Sequence, residues 1–178
     1  MIIKTREELQ KLREEYAASL AGEKKKILIC AGTGCISSGS LVIYDELKKI
    51  MEARGLKVEV ELAEEPHDDS VGLKKSGCHG FCEMGPLVRI EPQGWLYVQV
   101  KPGDCEEIVE KTIIGGEHIE RLAYTKHGEV FKKQEEIPFY KKQTRHVLEH
   151  CGHIDATSIK EYLGIGGYSA FERALFDM

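Results

Sequence analysis

Apolar residues recur along the first third of the chain with the periods of helices and strands. Leucines and a tyrosine at helical spacing predict a helix over residues 5–22. The continuous apolar run Ile27–Ile29 predicts a short strand in the middle of a sheet. A second helical pattern follows over residues 40–54, with Ser40 as its N-cap, and strict alternation over Lys57–Leu62 predicts a half-buried strand. The last three elements are predicted to form a β-α-β unit behind the N-terminal helix.

The next part of the pattern contains a hairpin and another helix. Two apolar segments, Leu87–Glu91 and Trp95–Val100, flank Pro92-Gln93-Gly94, which is a hairpin signal. A capped helix then runs from Asp104 to the glycine pair at 115 and 116. Together these elements predict an α/β fold with a small mixed sheet.

The remaining residues are predicted to add a short β and helical extension. Short strands are expected over residues 118–133, followed by a connector over residues 135–140. Helices are expected over residues 143–150, residues 156–163 with Asp155 as N-cap, and residues 169–176.

Composition limits the classes of function. The chain has 178 residues, a formal net charge of −5 and a pI of about 5.8, which argues against a nucleic-acid partner. No apolar run reaches the roughly 18 residues of a membrane span, and the N-terminus lacks the apolar core of a signal peptide. Six cysteines in such a chain indicate intracellular metal or redox chemistry, so a cytoplasmic location is expected.

Four of the cysteines stand in two tight pairs on glycine-rich segments. Cys30 and Cys35 form a C-x4-C pair directly after the first predicted strand, at the edge where α/β sheets build their sites. Cys78 and Cys82 form a C-x3-C pair after 42 intervening residues. The glycines allow tight turns and close approach of backbone N–H groups. Four thiolates suit a tetrahedral zinc site or an iron–sulfur cluster, and spacing alone does not exclude zinc.

Other interpretations of these thiols stay open at the level of sequence. A structural zinc-binding interaction module would use the same four cysteines. His79 lies between the members of the second pair and offers an imidazole as a substitute ligand. A thiol–disulfide exchange enzyme is a third hypothesis, although the chain contains no C-x-x-C pair; Pro86 is the candidate for the cis-proline that such enzymes place beside their thiols. Cys105, in the first turn of a predicted helix, is interpreted as structural.

The paired arrangement resembles that of the thioredoxin-like [2Fe-2S] ferredoxins, which include a small subunit of the flavin module of NADH:quinone oxidoreductase (complex I). The chain has Gly-Thr-Gly at residues 32–34 inside the first pair and Gly85-Pro86 after the second. The resemblance covers about residues 25–115. It implies a thioredoxin-like ferredoxin fold, one-electron transfer, and a [2Fe-2S] cluster whose ligands are Cys30, Cys35, Cys78 and Cys82.

A second resemblance lies in the tail. The segment from Gln143 to Gly152, together with Gly166-Gly-Tyr-Ser-Ala-Phe171, is similar to the start of the flavin-bearing, NADH-binding subunit of complex I. The most similar forms carry their own N-terminal ferredoxin domain, as in NADH-dependent multimeric hydrogenases, some of them electron-bifurcating, and related formate dehydrogenases. The glycine-rich flavin and NADH segment of that family is not in the sequence, so we expect a truncated chain, with FMN and NAD(H) bound only by a full-length parent.

These resemblances imply an organisation and a set of partners. The expected segments are an N-terminal helix (1–22), the ferredoxin domain (23–116), a connector (117–142) and the helical start of a flavin/NADH-binding domain (143–178). The expected partners are other subunits of a multi-subunit NADH-linked redox complex, and a homo-oligomer is left open. The chain alone is expected to act as an electron carrier rather than as a complete enzyme.

Overall fold

The computed structural model describes residues 3–63 and 69–178. The sequence also predicts an acidic loop at residues 64–69, and residues 64–68 of it lie outside the described residues. The helices are α1 (Arg6–Gly22), α2 (Thr33–Ser37), α3 (Ser40–Ala53), α4 (Cys105–Glu107, continued in π geometry over Ile108–Ile114), α5 (Pro138–Lys141), α6 (Ile159–Gly164) and α7 (Ser169–Phe176). The strands are β1 (Lys26–Cys30), β2 (Lys57–Glu59), β3 (Ser70–Ser76), β4 (Val88–Glu91), β5 (Trp95–Tyr97), β6 (Tyr124–Lys126) and β7 (Glu129–Phe131).

The main sheet is mixed and has the strand order β2-β3-β1-β4-β5. β1 pairs in parallel with β3 and antiparallel with β4, while β2 pairs in parallel with β3. The central position of β1 explains its continuous apolar sequence, since residues 27–30 are fully buried. This mixed sheet, covered by α3 and α4 on its core face, confirms the predicted α/β fold with a small mixed sheet.

The core face of the sheet packs against α3 and α4. α3 contributes Ile43, Leu47 and Met51, and the chain from residue 105 to residue 114 contributes Ile108 and Val109. The helix predicted from Asp104 is thus present. Its residues Ile108–Ile114 form a π-helix, and the Gly115 amide donates to the Glu110 carbonyl, five residues back. A second cluster of buried residues surrounds Cys30 and Cys35.

The extension is attached to the sheet at several points. The short strands expected over residues 118–133 are present as the antiparallel pair β6 and β7. The flanking residues Ala123 and Lys133 form isolated bridges to Tyr97 and Trp95 of β5. α1 packs on α6, with Tyr16, Leu62 and Leu163 buried between them. In the described part of the chain, no helix has the length and apolar character needed to cross a bilayer.

Strand β3 is the main element that the sequence pattern does not predict. The two strands of the predicted β-α-β unit of residues 26–62, β1 and β2, do not pair with each other, because β3 lies between them. The strand predicted over Lys57–Leu62 is also shorter and ends at Glu59.

Three local predictions are wrong. The helix expected over residues 143–150 is a series of turns. Ser40 is the first residue of α3, and its N-cap is Gly39 with φ 92°. Asp155 does not cap the helix that was predicted over residues 156–163, because its carboxylate accepts from the amide of Thr157. The N-cap of α6 is Ser158, whose side chain accepts from the Glu161 amide.

Candidate metal centre

The sheet topology brings the two thiol pairs to one edge. β1 and β3 run in parallel, and Cys30 at the end of β1 is in register with Ser76 at the end of β3. The segment after Ser76 carries Cys78 and Cys82 back across this edge. β4 starts there as well, because it runs antiparallel to β1. Three chain segments that are distant in sequence therefore meet around the thiols.

The thiols are arranged as an inner and an outer pair. Cys30 and Cys35 are fully buried, Cys78 is half-buried and Cys82 is exposed. The sulfurs of Cys78 and Cys82 lie 3.7 Å apart. Two thiolates on one tetrahedral metal at the usual bond length are about 3.8 Å apart, so the outer pair has the spacing of two ligands to one ion. No three His, Cys, Asp or Glu side chains within residues 3–63 and 69–178 gather closely enough to hold a single ion. The Cys30 and Cys35 thiols also contact each other, so the four thiols form two pairs at this edge.

Glycines make this close approach of backbone segments possible. A Cβ added to Gly32 would lie 2.9 Å from the Cβ of Cys78, and one added to Gly34 would lie 3.2 Å from the Cβ of Cys82. A Cβ at Gly85 would lie 2.7 Å from the Cys35 sulfur. Each of these glycines thus packs directly on a cysteine of another segment, and a side chain at any of the three positions would meet that cysteine.

Backbone amides are directed at the sulfurs. The amides of His79 and Gly32 donate to Cys30, the amide of Leu87 donates to Cys35, and the amide of Gly80 donates to Cys78 at 3.3 Å. The hydrogen bond from the Cys35 thiol, together with these amides, lowers the pKa of Cys30 to about 6. The same hydrogen bond between the two thiols raises the pKa of Cys35. Burial raises the pKa of Cys78. Donors aimed at sulfur favour the thiolate, which is the form that binds metal.

His79 supports the second thiol segment from within the core. Its side chain is fully buried, with Nε2 2.9 Å from the Ser76 hydroxyl and Nδ1 3.0 Å from the Gln134 amide oxygen. Burial lowers its pKa to about 4. Both ring nitrogens are occupied by polar neighbours, so the His79 ring is placed as a support for the loop and is not directed at the thiols as a fourth ligand.

The other cysteines lie apart from the pairs. Cys105 is fully buried against α3, 3.9 Å from the Ile43 carbonyl, and burial raises its pKa to about 12. This placement agrees with its interpretation as a structural residue. Cys151 is half-buried, and its sulfur would be 3.6 Å from a Cβ on Gly77. The Gly85–Pro86 peptide bond is cis, as the hypothesis of a thiol–disulfide exchange enzyme expects. The C-x-x-C pair that such an enzyme usually needs is not in the sequence.

Two polar contributors to the site are not visible in the sequence pattern. Gln134 reaches His79 from a segment 55 residues away. Arg145, in the turns after α5, donates to the His79 carbonyl at 2.5 Å. Neither residue belongs to a spacing motif with the thiols, so only the folded chain shows that they are neighbours.

Comparison with known proteins agrees with this geometry. Residues 15–113, more than half of the chain, match the family model described as thioredoxin-like [2Fe-2S] ferredoxin. A "Ferredoxin, 2Fe-2S" of Clostridium pasteurianum is 34% identical over 88 residues, covering 49% of this chain and 76% of the relative. A "Ferredoxin, 2Fe-2S" of Aquifex aeolicus is 53% identical over 54 residues, covering 30% of this chain and 49% of the relative. The match thus spans about half the length of the Aquifex protein.

Two solved structures superpose on part of the chain. The thioredoxin-like [2Fe-2S] ferredoxin of Aquifex aeolicus superposes with a TM-score of 0.46 and 30% identity, covering 58% of this chain and 99% of that one. A chain of an NAD+-reducing [NiFe]-hydrogenase superposes with a TM-score of 0.41 and 14% identity, covering 62% of this chain and 21% of that one.

Proposed function

Because the chain belongs to the thioredoxin-like [2Fe-2S] ferredoxin family, we propose that it transfers single electrons through a [2Fe-2S] cluster held by Cys30, Cys35, Cys78 and Cys82. The observation that carries this assignment of ligands is the meeting of both thiol pairs at one sheet edge, with backbone amides directed at their sulfurs. Such a cluster, when bound, accepts and releases one electron without making or breaking a bond to the protein.

The chain's own residues position and insulate the cluster. Cys30 and Cys35 would hold it from the buried side, where Leu87, Leu96 and Phe131 exclude water. Cys78 and Cys82 would hold it from the side that reaches solvent. Electron exchange with a partner is therefore expected at the outer pair, and the amides of Gly80 and His79 favour the more negative, reduced form.

Serine substitutions test the ligand assignment. Cys78→Ser should lower the iron and sulfide content or shift the visible spectrum, because a serine oxygen replaces a thiolate at the outer pair. Cys105→Ser, which changes a buried thiol outside the site, is the matched control and should leave the spectrum intact. Loss of the cluster in Cys105→Ser alone, with Cys78→Ser unaffected, would show that the ligand set is wrong.

A reductive titration tests the electron-transfer function itself. The anaerobically purified chain should take up about one electron per cluster from dithionite and return it to an oxidant, with a reversible loss of visible absorption. A chain that contains iron but shows no reversible reduction would contradict the proposed function.

We further propose that the chain is the electron-transfer module of an NADH-oxidising or NAD-reducing flavoprotein subunit in a multi-subunit redox complex, and that its electron partner is the flavin- and NADH-binding part of that subunit. The support is the similarity of residues 143–178 to the start of such subunits, and the packing of that tail against α1 and the second thiol segment. The flavin would take a hydride from NADH and pass electrons singly. Incubation with NADH and an FMN-containing, NADH-oxidising subunit should bleach the cluster; no bleaching beyond that in the absence of the flavoprotein would contradict this partner.

A further inference from the structure

Arg145 places a positive charge against the segment between Cys78 and Cys82. Its guanidinium donates to the carbonyl of His79 at 2.5 Å and stacks over the Tyr140 ring with 5.1 Å to the centroid. A Cβ on Gly80 would lie 2.8 Å from an Arg145 nitrogen, so the guanidinium rests directly on the backbone of this glycine. The contact connects the tail with the thiol site.

The peptide group that Arg145 contacts is also the one that contacts a thiol. The carbonyl of His79 and the amide of Gly80 belong to one peptide unit, and that amide donates to the Cys78 sulfur at 3.3 Å. A cation that binds the oxygen of a peptide withdraws electron density from its N–H, which strengthens the hydrogen bond that this N–H donates. Arg145 therefore acts on the sulfur both through space and through this peptide.

The charge of Arg145 is not balanced by its contacts. Within residues 3–63 and 69–178 those contacts are the backbone of His79 and Gly80 and the Tyr140 side chain, none of which is anionic at neutral pH. Tyr140 is buried, and its pKa is raised by desolvation, so it stays neutral. The partial burial of Arg145 also limits the screening of its charge by salt.

We infer that Arg145 is a positioning residue that raises the reduction potential of the cluster at Cys78 and Cys82. This inference rests on the proposed function. One electron from an external donor, such as a reduced flavin or dithionite, adds a negative charge to a cluster that is already anionic, and no bond is formed or broken. A fixed cation beside the outer pair stabilises the added charge, so its removal makes reduction less favourable.

The test is a redox titration of the whole, cluster-bearing chain, followed by visible absorption and electron paramagnetic resonance. Arg145→Gln should shift the midpoint potential to a more negative value, because the charge is lost while an amide donor is kept. Arg145→Lys should remain closer to the wild type, because the charge is kept. Arg54→Gln removes the same charge from the end of α3, where Arg54 pairs with Glu106 and Glu110, and should not change the potential.

The outcomes separate this inference from the proposed function. If the wild type holds iron but cannot be reduced reversibly, the proposed function fails. If the wild type is reduced reversibly but Arg145→Gln has the potential of Arg54→Gln, only the role of Arg145 is overturned. Equal shifts in Arg145→Gln and Arg145→Lys would also overturn it, since charge would not be the cause. If both Arg145→Gln and Arg145→Met lose the cluster while Arg54→Gln keeps it, Arg145 holds the loop rather than setting the potential, and the inference is again overturned.

Discussion

At the scale of single residues, the site depends on glycines as much as on thiols. Gly32 has an ordinary φ of −68°, so backbone strain does not explain its presence. The reason is contact: an added Cβ would lie 2.9 Å from the Cβ and 3.3 Å from the Cα of Cys78. The Cα belongs to the backbone and cannot move aside as the end of a flexible side chain can.

Gly32→Ala should therefore reduce cluster binding. The methyl group must push the Cys78 segment away from Cys30, with an expected cost of about 1–3 kcal/mol, as is typical of overpacking. Iron and sulfide per chain and the visible spectrum measure the effect. Gly103→Ala is the matched control, because its Cβ would have no neighbour within 4 Å. Equal cluster content in the two variants would refute the role assigned to Gly32.

The sequence reveals the thiols but not their surroundings. The spacing of Cys30, Cys35, Cys78 and Cys82 is visible in the chain because metal chelation needs ligands in close pairs. The supports of the loop, Gln134 and Arg145, come from distant segments through tertiary contacts. A hydrogen bond between residues so far apart leaves no local pattern, and backbone amides leave none at all.

At the scale of elements, predictions succeeded where the apolar pattern follows the local structure. β1, α3 and the β4–β5 hairpin have clean patterns because most of their apolar side chains are buried in the core. β3 was missed because its sequence contains two lysines and a glycine, and one of those lysines, Lys74, is fully buried. The predicted helix at 143–150 does not form; Val147 is 96% exposed, so packing does not stabilise a helix of this length.

The contact between α1 and α6 yields a prediction at this scale. Gly164 ends α6, and an added Cβ would lie 2.6 Å from a Leu20 methyl carbon and 2.9 Å from the Tyr16 carbonyl oxygen. Gly164→Ala should separate the two helices and lower the free energy of unfolding by about 1–3 kcal/mol.

Urea denaturation followed by circular dichroism measures this change. The cluster spectrum should be retained, since the α1–α6 contact lies outside the thiol site. Unchanged stability relative to Gly103→Ala would mean that the two helices are not held together as described.

At the scale of the whole molecule, one buried ionic group joins three segments. The Lys74 ammonium on β3 lies 3.0 Å from the Glu23 carboxylate, which follows α1, and 3.4 Å from the Glu161 carboxylate on α6. All three side chains are at most 2% exposed. Glu161 also accepts from the amide of Asp155, which bridges to Ser76 at the site edge. The group thereby ties the N-terminal helix and the tail to the sheet that carries the thiols.

Removal of Lys74 should have a large effect on stability. Lys74→Met leaves the buried Glu161 carboxylate without its cation, while Glu23 keeps only Lys26, whose ammonium lies 3.4 Å away. Breaking a buried ion pair in this way typically costs about 3–5 kcal/mol. Thermal or urea unfolding of the cluster-bearing chain measures the loss. Lys49→Met, at an exposed lysine of α3, should change stability by less than about 0.5 kcal/mol. A Lys74→Met chain as stable as Lys49→Met would contradict the role of this group.

The central claim is that the four paired thiols hold a [2Fe-2S] cluster. Its most direct test is an absorption spectrum of the anaerobically purified chain, with iron, zinc and acid-labile sulfide assayed on the same sample. We expect a red-brown protein with about two irons and two sulfides per chain. A colourless protein with about one zinc per chain, which also fails to acquire a cluster on reconstitution with iron and sulfide, would contradict the claim and favour a structural zinc module.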